Sequence, residues 1–165
     1  MRRLILSIIV SLAAFVPALC ATPEGRLFCF ERSTNRNYIC YDVNLRDDGH
    51  LDTDNPIHVY WIRVEEGGGR KELTFIQRKL AFGYKVVTRK TDEVTIHLTA
   101  YNKLLIRICR HQGRWLARAT IGGHEAQLDK LFAQMRSPNS LHCEYVDLFG
   151  RDLTTQEAVT ERIRK

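Results

Sequence analysis

Residues 26–45 read RLFCFERSTNRNYICYDVNL, and the spacing of their apolar side chains decides the fold class. Phe28 and Phe30 fall on one face of an extended chain, with Cys29 and Glu31 on the other. Ile39, Tyr41 and Val43 share a face in the same way, opposite Cys40 and Asp42. A two-residue loop at Thr34-Asn35 pairs Phe30 with Ile39 and Phe28 with Tyr41, bringing the large apolar groups together. That is a β-hairpin. Its register also sets Cys29 directly across from Cys40. A disulfide fits there if the pair is of the non-hydrogen-bonded kind, where side chains lie closer. Two reduced thiols on a packed face are the alternative.

The same period of two continues outward. IHVYWIRV (57–64) is apolar on both faces and reads as an inner strand. Gly67-Gly68-Gly69 reads as a flexible loop. ELTFIQRKLAFG (72–83) changes period, with Leu73, Ile76, Gln77 and Leu80 at helical spacing and Gly83 ending the turn. YKVVTRK, EVTIHLT, KLLIRICR and RWLARATI read as further strands, and Gly122-Gly123 as a tight turn. HEAQLDKLFAQM (124–135) fits either a helix or a returning strand with a bulge, and its place after the glycine pair favours the strand. SLHCEYVDLF and EAVTERI complete the pattern. The expectation is a mainly β protein, an antiparallel barrel or sandwich of about eight strands with one short helix.

The N-terminus is of another kind. MRR is followed by the apolar run LILSIIVSLAAFV and by PALCA, the layout of a secretory signal peptide over residues 1–21. The run is shorter than the roughly 20 apolar residues of a membrane span, and no second such run follows. Residues 22–165 then form a single β-rich domain. A lipid anchor at Cys20 would want a small residue before it, and Leu19 argues against one. The implied location is periplasmic or secreted, with membrane anchoring through Cys20 as the variant. Loss of Arg2 and Arg3 lowers the formal net charge from +6 to +4. Four cysteines remain, Cys29, Cys40, Cys109 and Cys143, an even number that suits an oxidising compartment.

Two stretches invite functional readings. DVNLRDDGHLDTDNP (42–56) is rich in aspartate, and an EF-hand alignment from Asn44 puts Asp48, Gly49 and Asp52 at ligand and turn positions. Arg46 then stands where a ligand should be, and Asn55 cannot supply the bidentate carboxylate. The stretch reads as a turn between strands, and no metal site is assigned. The second stretch runs from Val94 to His124 without a single acid, yet holds Lys103, Arg107, Arg110, Arg114 and Arg118. A hairpin with its loop at Gln112-Gly113 pairs Ile108 with Ala117, Ile106 with Ala119 and Leu104 with Ile121. It sets Arg107 directly opposite Arg118 on the other face. Like charges so placed are unfavourable unless something compensates. An anionic ligand or partner can do so, because guanidinium groups grip phosphates and carboxylates in two-pronged geometry. A carboxylate of the chain itself, for instance Glu93, is the bland alternative. Lys103, Arg107, Arg114 and Arg118 are therefore the candidate ligand-binding residues.

NPIHVYWIR, ELTFIQRKLAFGYK, ATIGGHEAQLDKLF and YVDLFGRDLTTQEAVTERI resemble a family of exported bacterial proteins, frequent in Bacteroidetes and known as a domain of unknown function. The similarity runs from about Arg26 to Arg164, and it implies export and one domain. It carries no activity onto these residues.

Catalytic signatures are missing. There is no HExxH, GxSxG, CxxC or phosphate-cradling glycine loop, so no catalytic residue and no cofactor is assigned. Ser140-Leu141-His142-Cys143 faintly resembles a segment of cysteine-dependent cell-wall transpeptidases but lacks the glycine before the cysteine and the arginine after it. Trp61 and Trp115 read as core more readily than as stacking platforms. An exported domain of modest charge argues against nucleic acid. The leading expectation is a non-catalytic envelope domain that binds an anionic ligand or an envelope protein partner. An envelope hydrolase or cysteine-dependent transferase, and a structural component of an envelope assembly, are the alternatives.

Overall fold

The computed structural model describes residues 25–137 and 142–164. The signal-peptide stretch 1–21, Cys20, Ser140 and Leu141 lie outside the described residues. Eleven strands follow one another: β1 (Arg26–Arg32), β2 (Asn35–Val43), β3 (Ile57–Arg63), β4 (Gly69–Glu72), β5 (Tyr84–Lys90), β6 (Glu93–Leu98), β7 (Tyr101–His111), β8 (Arg114–Ile121), β9 (His124–Met135), β10 (Cys143–Asp152) and β11 (Ala158–Arg164). A short helix, α1 (Phe75–Gln77), runs into a π-helical turn at Arg78–Phe82. The mainly β class and the single short helix are as expected. The strand number is eleven and not about eight, and the sheet curls into an open half-barrel without closing. Part of the excess is β4. After a 3-10 turn at Val64–Glu66, Gly67 at φ 88° turns the chain back, and what read as a flexible loop pairs along β3.

The path of the sheet explains why it stays open. One edge of β9 is paired along its length by β10, which in turn pairs with β11. The other edge is divided. The first residues of β9 pair antiparallel with β8, whereas Lys130–Ala133 pair in parallel with β1. Two four-strand arms, β1-β2-β3-β4 and β8-β7-β6-β5, therefore leave the same strand. Closure would need β4 to pair with β5, and the helical segment stands between them in the chain. Its Phe82 packs against Phe30 and Trp61 at ring-centre distances of 5.7 and 5.3 Å.

Both arms feed one core. Phe28, Ile39, Tyr41 and Ile57 come from the first arm, Ile96, Ile106, Ile108 and Ile121 from the second, and Leu128, Leu131 and Leu148 from β9 and β10. Among the described residues the buried cluster spans Leu27 to Leu148. Phe28 and Tyr41 stack at 4.3 Å, the cross-strand contact that the hairpin register predicts. The register holds at Phe28↔Tyr41, Cys29↔Cys40 and Phe30↔Ile39. The turn itself sits one residue earlier, at Ser33-Thr34, because a bulge lets Arg32 pair with Asn35.

The opposed cysteines are not joined. Cys29, Cys40 and Cys109 are free thiols, and Cys29 turns its sulfur towards the Asp129 carbonyl of β9. Burial is the first cause that pushes both the Cys29 and Cys40 thiols up to about 11.

A polar tie joins the arms. Asp92, in the β5–β6 turn at φ 53°, accepts the Leu51 N–H at 2.9 Å and meets His50 Nδ1 at 2.7 Å. Arg110 reaches the Gly49 carbonyl of the same loop at 3.3 Å.

Candidate functional site

Strands β6 to β9 alternate in burial where they flank Arg107 and Arg118, and the alternation stops one pair further on, where Cys109 and Leu116 are buried beside Ile108 and Ala117. Ile96, Ile106, Ile108, Ala117, Ala119 and Ala126 point inwards and are buried. Their neighbours must then point outwards, and the ladders line up one row: Thr95↔Arg107, Arg107↔Arg118 and Arg118↔Gln127. The predicted opposition of Arg107 and Arg118 is present, with the turn at Gln112-Gly113 and the pair Ile108↔Ala117 beside it. The β7–β8 ladder ends at that arginine pair. Beyond it, Ala119 and Ile121 pair with Ala126 and His124 of β9, not with Ile106 and Leu104.

The two cations share one carboxylate. Glu125 Oε1 accepts a hydrogen bond from Arg107 Nη2 and forms an ion pair with Arg118 Nη2 at 2.7 Å. Glu93, the acid just before the basic stretch, is turned to Lys90 at 3.2 Å and lies opposite Cys109. Glu125 was within reach of sequence reasoning. The Gly122-Gly123 turn returns the chain so that Thr120 faces Glu125, which makes Glu125 a diagonal neighbour of Arg118.

An open depression of about 470 Å³ lies over this row, lined by Thr95, Leu105, Arg107, Arg118, Thr120 and Glu125 among others. Two guanidinium groups and one carboxylate leave it a formal charge of +1. Arg118 is 23% exposed, and its buried Nε has no hydrogen-bond partner among the described residues. Arg107 and Glu125 are more open, at 40% and 52%. The arrangement suits a small anion that accepts from both arginines while Glu125 yields part of its hold.

The other candidate residues do not join the depression. Lys103 is exposed towards one end of β7, and Arg114 is exposed at the hairpin tip opposite His111. Arg110 lies over the Trp115 ring at 5.0 Å. Both tryptophans pack at the core, Trp61 at 8% exposure and Trp115 partly buried against it.

Two carboxylates of the aspartate loop, Asp48 and Asp52, turn back on the loop itself, whereas Asp42 meets Arg26 and Tyr60. Asp48 Oδ1 accepts the His50 N–H, and Asp52 Oδ1 accepts those of Asp54 and Asn55. Gly49 takes a positive φ of 79° at the head of the turn. Among the described residues no three His, Cys, Asp or Glu side chains gather as metal ligands. At the other end of the sheet, Asp152 accepts from the N–H groups of Thr154 and Thr155 and meets His124 at 2.8 Å. These bonds, backbone first, hold its carboxyl below the usual carboxylate range. The Cys143 thiol donates to the Tyr145 carbonyl on its own strand.

No curated protein and no solved structure matches the chain. A family model described as a domain of unknown function, DUF4833, matches residues 28–162, which takes in nearly the whole of the sheet from β1 to β11. By that match the chain belongs to the DUF4833 family.

Proposed function

We propose that this chain is a non-catalytic, exported domain of the cell envelope that binds an anionic ligand or partner through the depression at Arg107 and Arg118. One observation carries the reading: two opposed guanidinium groups share a single carboxylate in an open concavity with net positive charge. The buried Nε of Arg118 adds a donor with no protein acceptor among the described residues. Export is supported by the MRR-LILSIIVSLAAFV-PALCA layout of residues 1–21. Arg107 and Arg118 are the ligand-holding residues, and Lys103 and Arg114 act at longer range through their charge.

The test is thermal unfolding of residues 22–165 against phosphate, anionic glycans and cell-wall fragments. A ligand at 100 times its dissociation constant adds about 2.7 kcal/mol. Stabilisation by an anion that disappears in the Arg107→Gln/Arg118→Gln variant is the expected result. Equal stabilisation of that variant would remove the depression from the argument.

A structural role in an envelope assembly is the second reading. It is favoured by the outer edges of β4, β5 and β11, which among the described residues end the sheet path without a further strand.

A further inference from the structure

The helical spacing of Leu73, Ile76, Gln77 and Leu80 suggests a face packed on the core, and the chain does something else. Leu73 is buried, but Phe75, Ile76 and Leu80 are 75%, 66% and 69% exposed. They project from a firmly held turn. Thr74 and Gln77 form a reciprocal capping box, with Gln77 N–H donating to Thr74 Oγ1 and Thr74 N–H to Gln77 Oε1. Gly83 closes the π turn onto the Arg78 carbonyl at 3.0 Å, and Phe82 is wedged between Phe30 and Trp61. The apolar tips are thus presented by a fixed support, and such a cluster marks an interaction site more often than a scattered exposed leucine does.

Charge identifies the occupant. From Arg70 to Lys90 the chain carries seven Lys and Arg against one acid, Glu72. Lys71 and Lys79 are exposed, and Lys79 Nζ lies 5.7 Å from the centre of the Phe75 ring. Lys85 continues the cationic surface along β5, and Lys90 beyond it is paired with Glu93. An aromatic and two aliphatic tips on a segment rich in exposed lysines match a bilayer interface, where apolar groups enter the acyl boundary and cations meet anionic headgroups. A stable protein interface usually buries about 1,200–2,000 Å² with shaped complementarity, more than three tips on a convex turn provide. We propose that the Phe75–Phe82 turn docks this domain peripherally on a membrane surface containing anionic lipid.

The experiment is co-sedimentation of residues 22–165 with vesicles of phosphatidylethanolamine and phosphatidylglycerol, beside vesicles of phosphatidylcholine alone. Binding to the anionic vesicles should exceed binding to the neutral ones by about tenfold or more and weaken with salt. Phe75→Ser/Ile76→Ser/Leu80→Ser should lose about tenfold or more of that binding, and so should Lys71→Glu/Lys79→Glu. Because all these side chains are exposed, both variants should keep the wild-type unfolding midpoint. Arg107→Gln/Arg118→Gln should bind vesicles as the wild type does, which separates this surface from the anion-binding depression. Wild-type protein that stays in the supernatant with anionic vesicles would overturn the proposal, as would a serine variant that still sediments. So would a wild-type dimer in gel filtration that the serine variant turns into a monomer, since the tips would then cover a second copy.

Discussion

Arg107 stands directly opposite Arg118 across the β7–β8 ladder, two like charges at one register position with the Glu125 carboxylate drawn to both. Removing that carboxylate has two consequences of opposite sign. Glu125→Gln leaves the guanidinium groups facing each other uncompensated, and stability should fall by about 1 kcal/mol or less, the range of exposed pairs. The site's formal charge rises from +1 to +2, so phosphate should stabilise the variant more than it stabilises the wild type. Thermal unfolding with and without phosphate reads both effects. An unchanged phosphate increment would mean that no anion sits between the two arginines.

Gly83 is required for space. A Cβ there would lie 2.1 Å from the Arg78 carbonyl oxygen, within the π turn whose closing hydrogen bond Gly83 itself makes. Gly83→Ala must open that turn, at a cost of about 1–3 kcal/mol typical of overpacking. Gly150 on β10 is required in the same way, because a Cβ there would lie 2.2 Å from the Gln127 carbonyl oxygen. Urea denaturation should show both variants with lower midpoints. An alanine at either site that leaves the midpoint in place would mean that the backbone there can yield.

The sheet was largely legible because period-two burial is a local property. Phe28, Phe30, Ile39 and Tyr41 pair as their alternation dictates, and the strand at 124–135 follows from its glycine turn. What alternation cannot express is pairing at a distance. Nothing local tells that β9 divides one edge between β8 and β1, or that β4 and β5 end the sheet on opposite arms. The site followed the same rule. The hairpin register placed Arg107 opposite Arg118, whereas the answering carboxylate, Glu125, arrives through the next hairpin. Ile76 and Leu80 have helical spacing because they lie on one side of a helical turn, but spacing alone does not say whether that side meets core or solvent.

Acid should unfold this domain through a few carboxylates. Asp92 is held low by the Leu51 N–H and His50, Asp147 by Arg162, and Asp152 by the N–H groups of Thr155 and Thr154 and by His124. An unfolded aspartate titrates at about 3.9. With the folded value below that, each group's contribution is complete above the unfolded value and is lost as the pH falls through the folded one. The urea midpoint should therefore decline below about pH 4. Asp152→Ala should lower the midpoint at neutral pH and make the acid decline shallower. A decline as steep as the wild type's would assign the acid sensitivity elsewhere.

The thiols offer a direct test of the Cys29–Cys40 pair. With both pushed up to about 11 by burial, they are almost wholly protonated at neutral pH, and Cys40 is fully buried. Ellman's reagent should react slowly with native residues 22–165 and rapidly in urea, where four thiols should titrate. Two thiols in place of four in protein purified under oxidising conditions would mean that Cys29 rotates from the Asp129 carbonyl and closes a bond across the strands.

Tyr41 connects the centre of the first arm to the helical turn. Its ring is fully buried against Phe28, and its hydroxyl donates to the Phe82 carbonyl at 2.8 Å. Phenylalanine fills the same volume, so Tyr41→Phe isolates the hydroxyl and leaves a part-buried carbonyl without that donor. The expected loss is about 1–3 kcal/mol, the penalty of an unsatisfied polar group. The effect should also be local. Amide hydrogen exchange at Arg78 and Gly83, whose N–H groups donate to the Thr74 and Arg78 carbonyls respectively, should quicken, because the turn has lost its tie to the core. Amides of Ile96 and Ile106, in the opposite arm, should change only by the global loss of stability. Quickening of the same size in both places would show that the hydroxyl supports the core as a whole and not the turn.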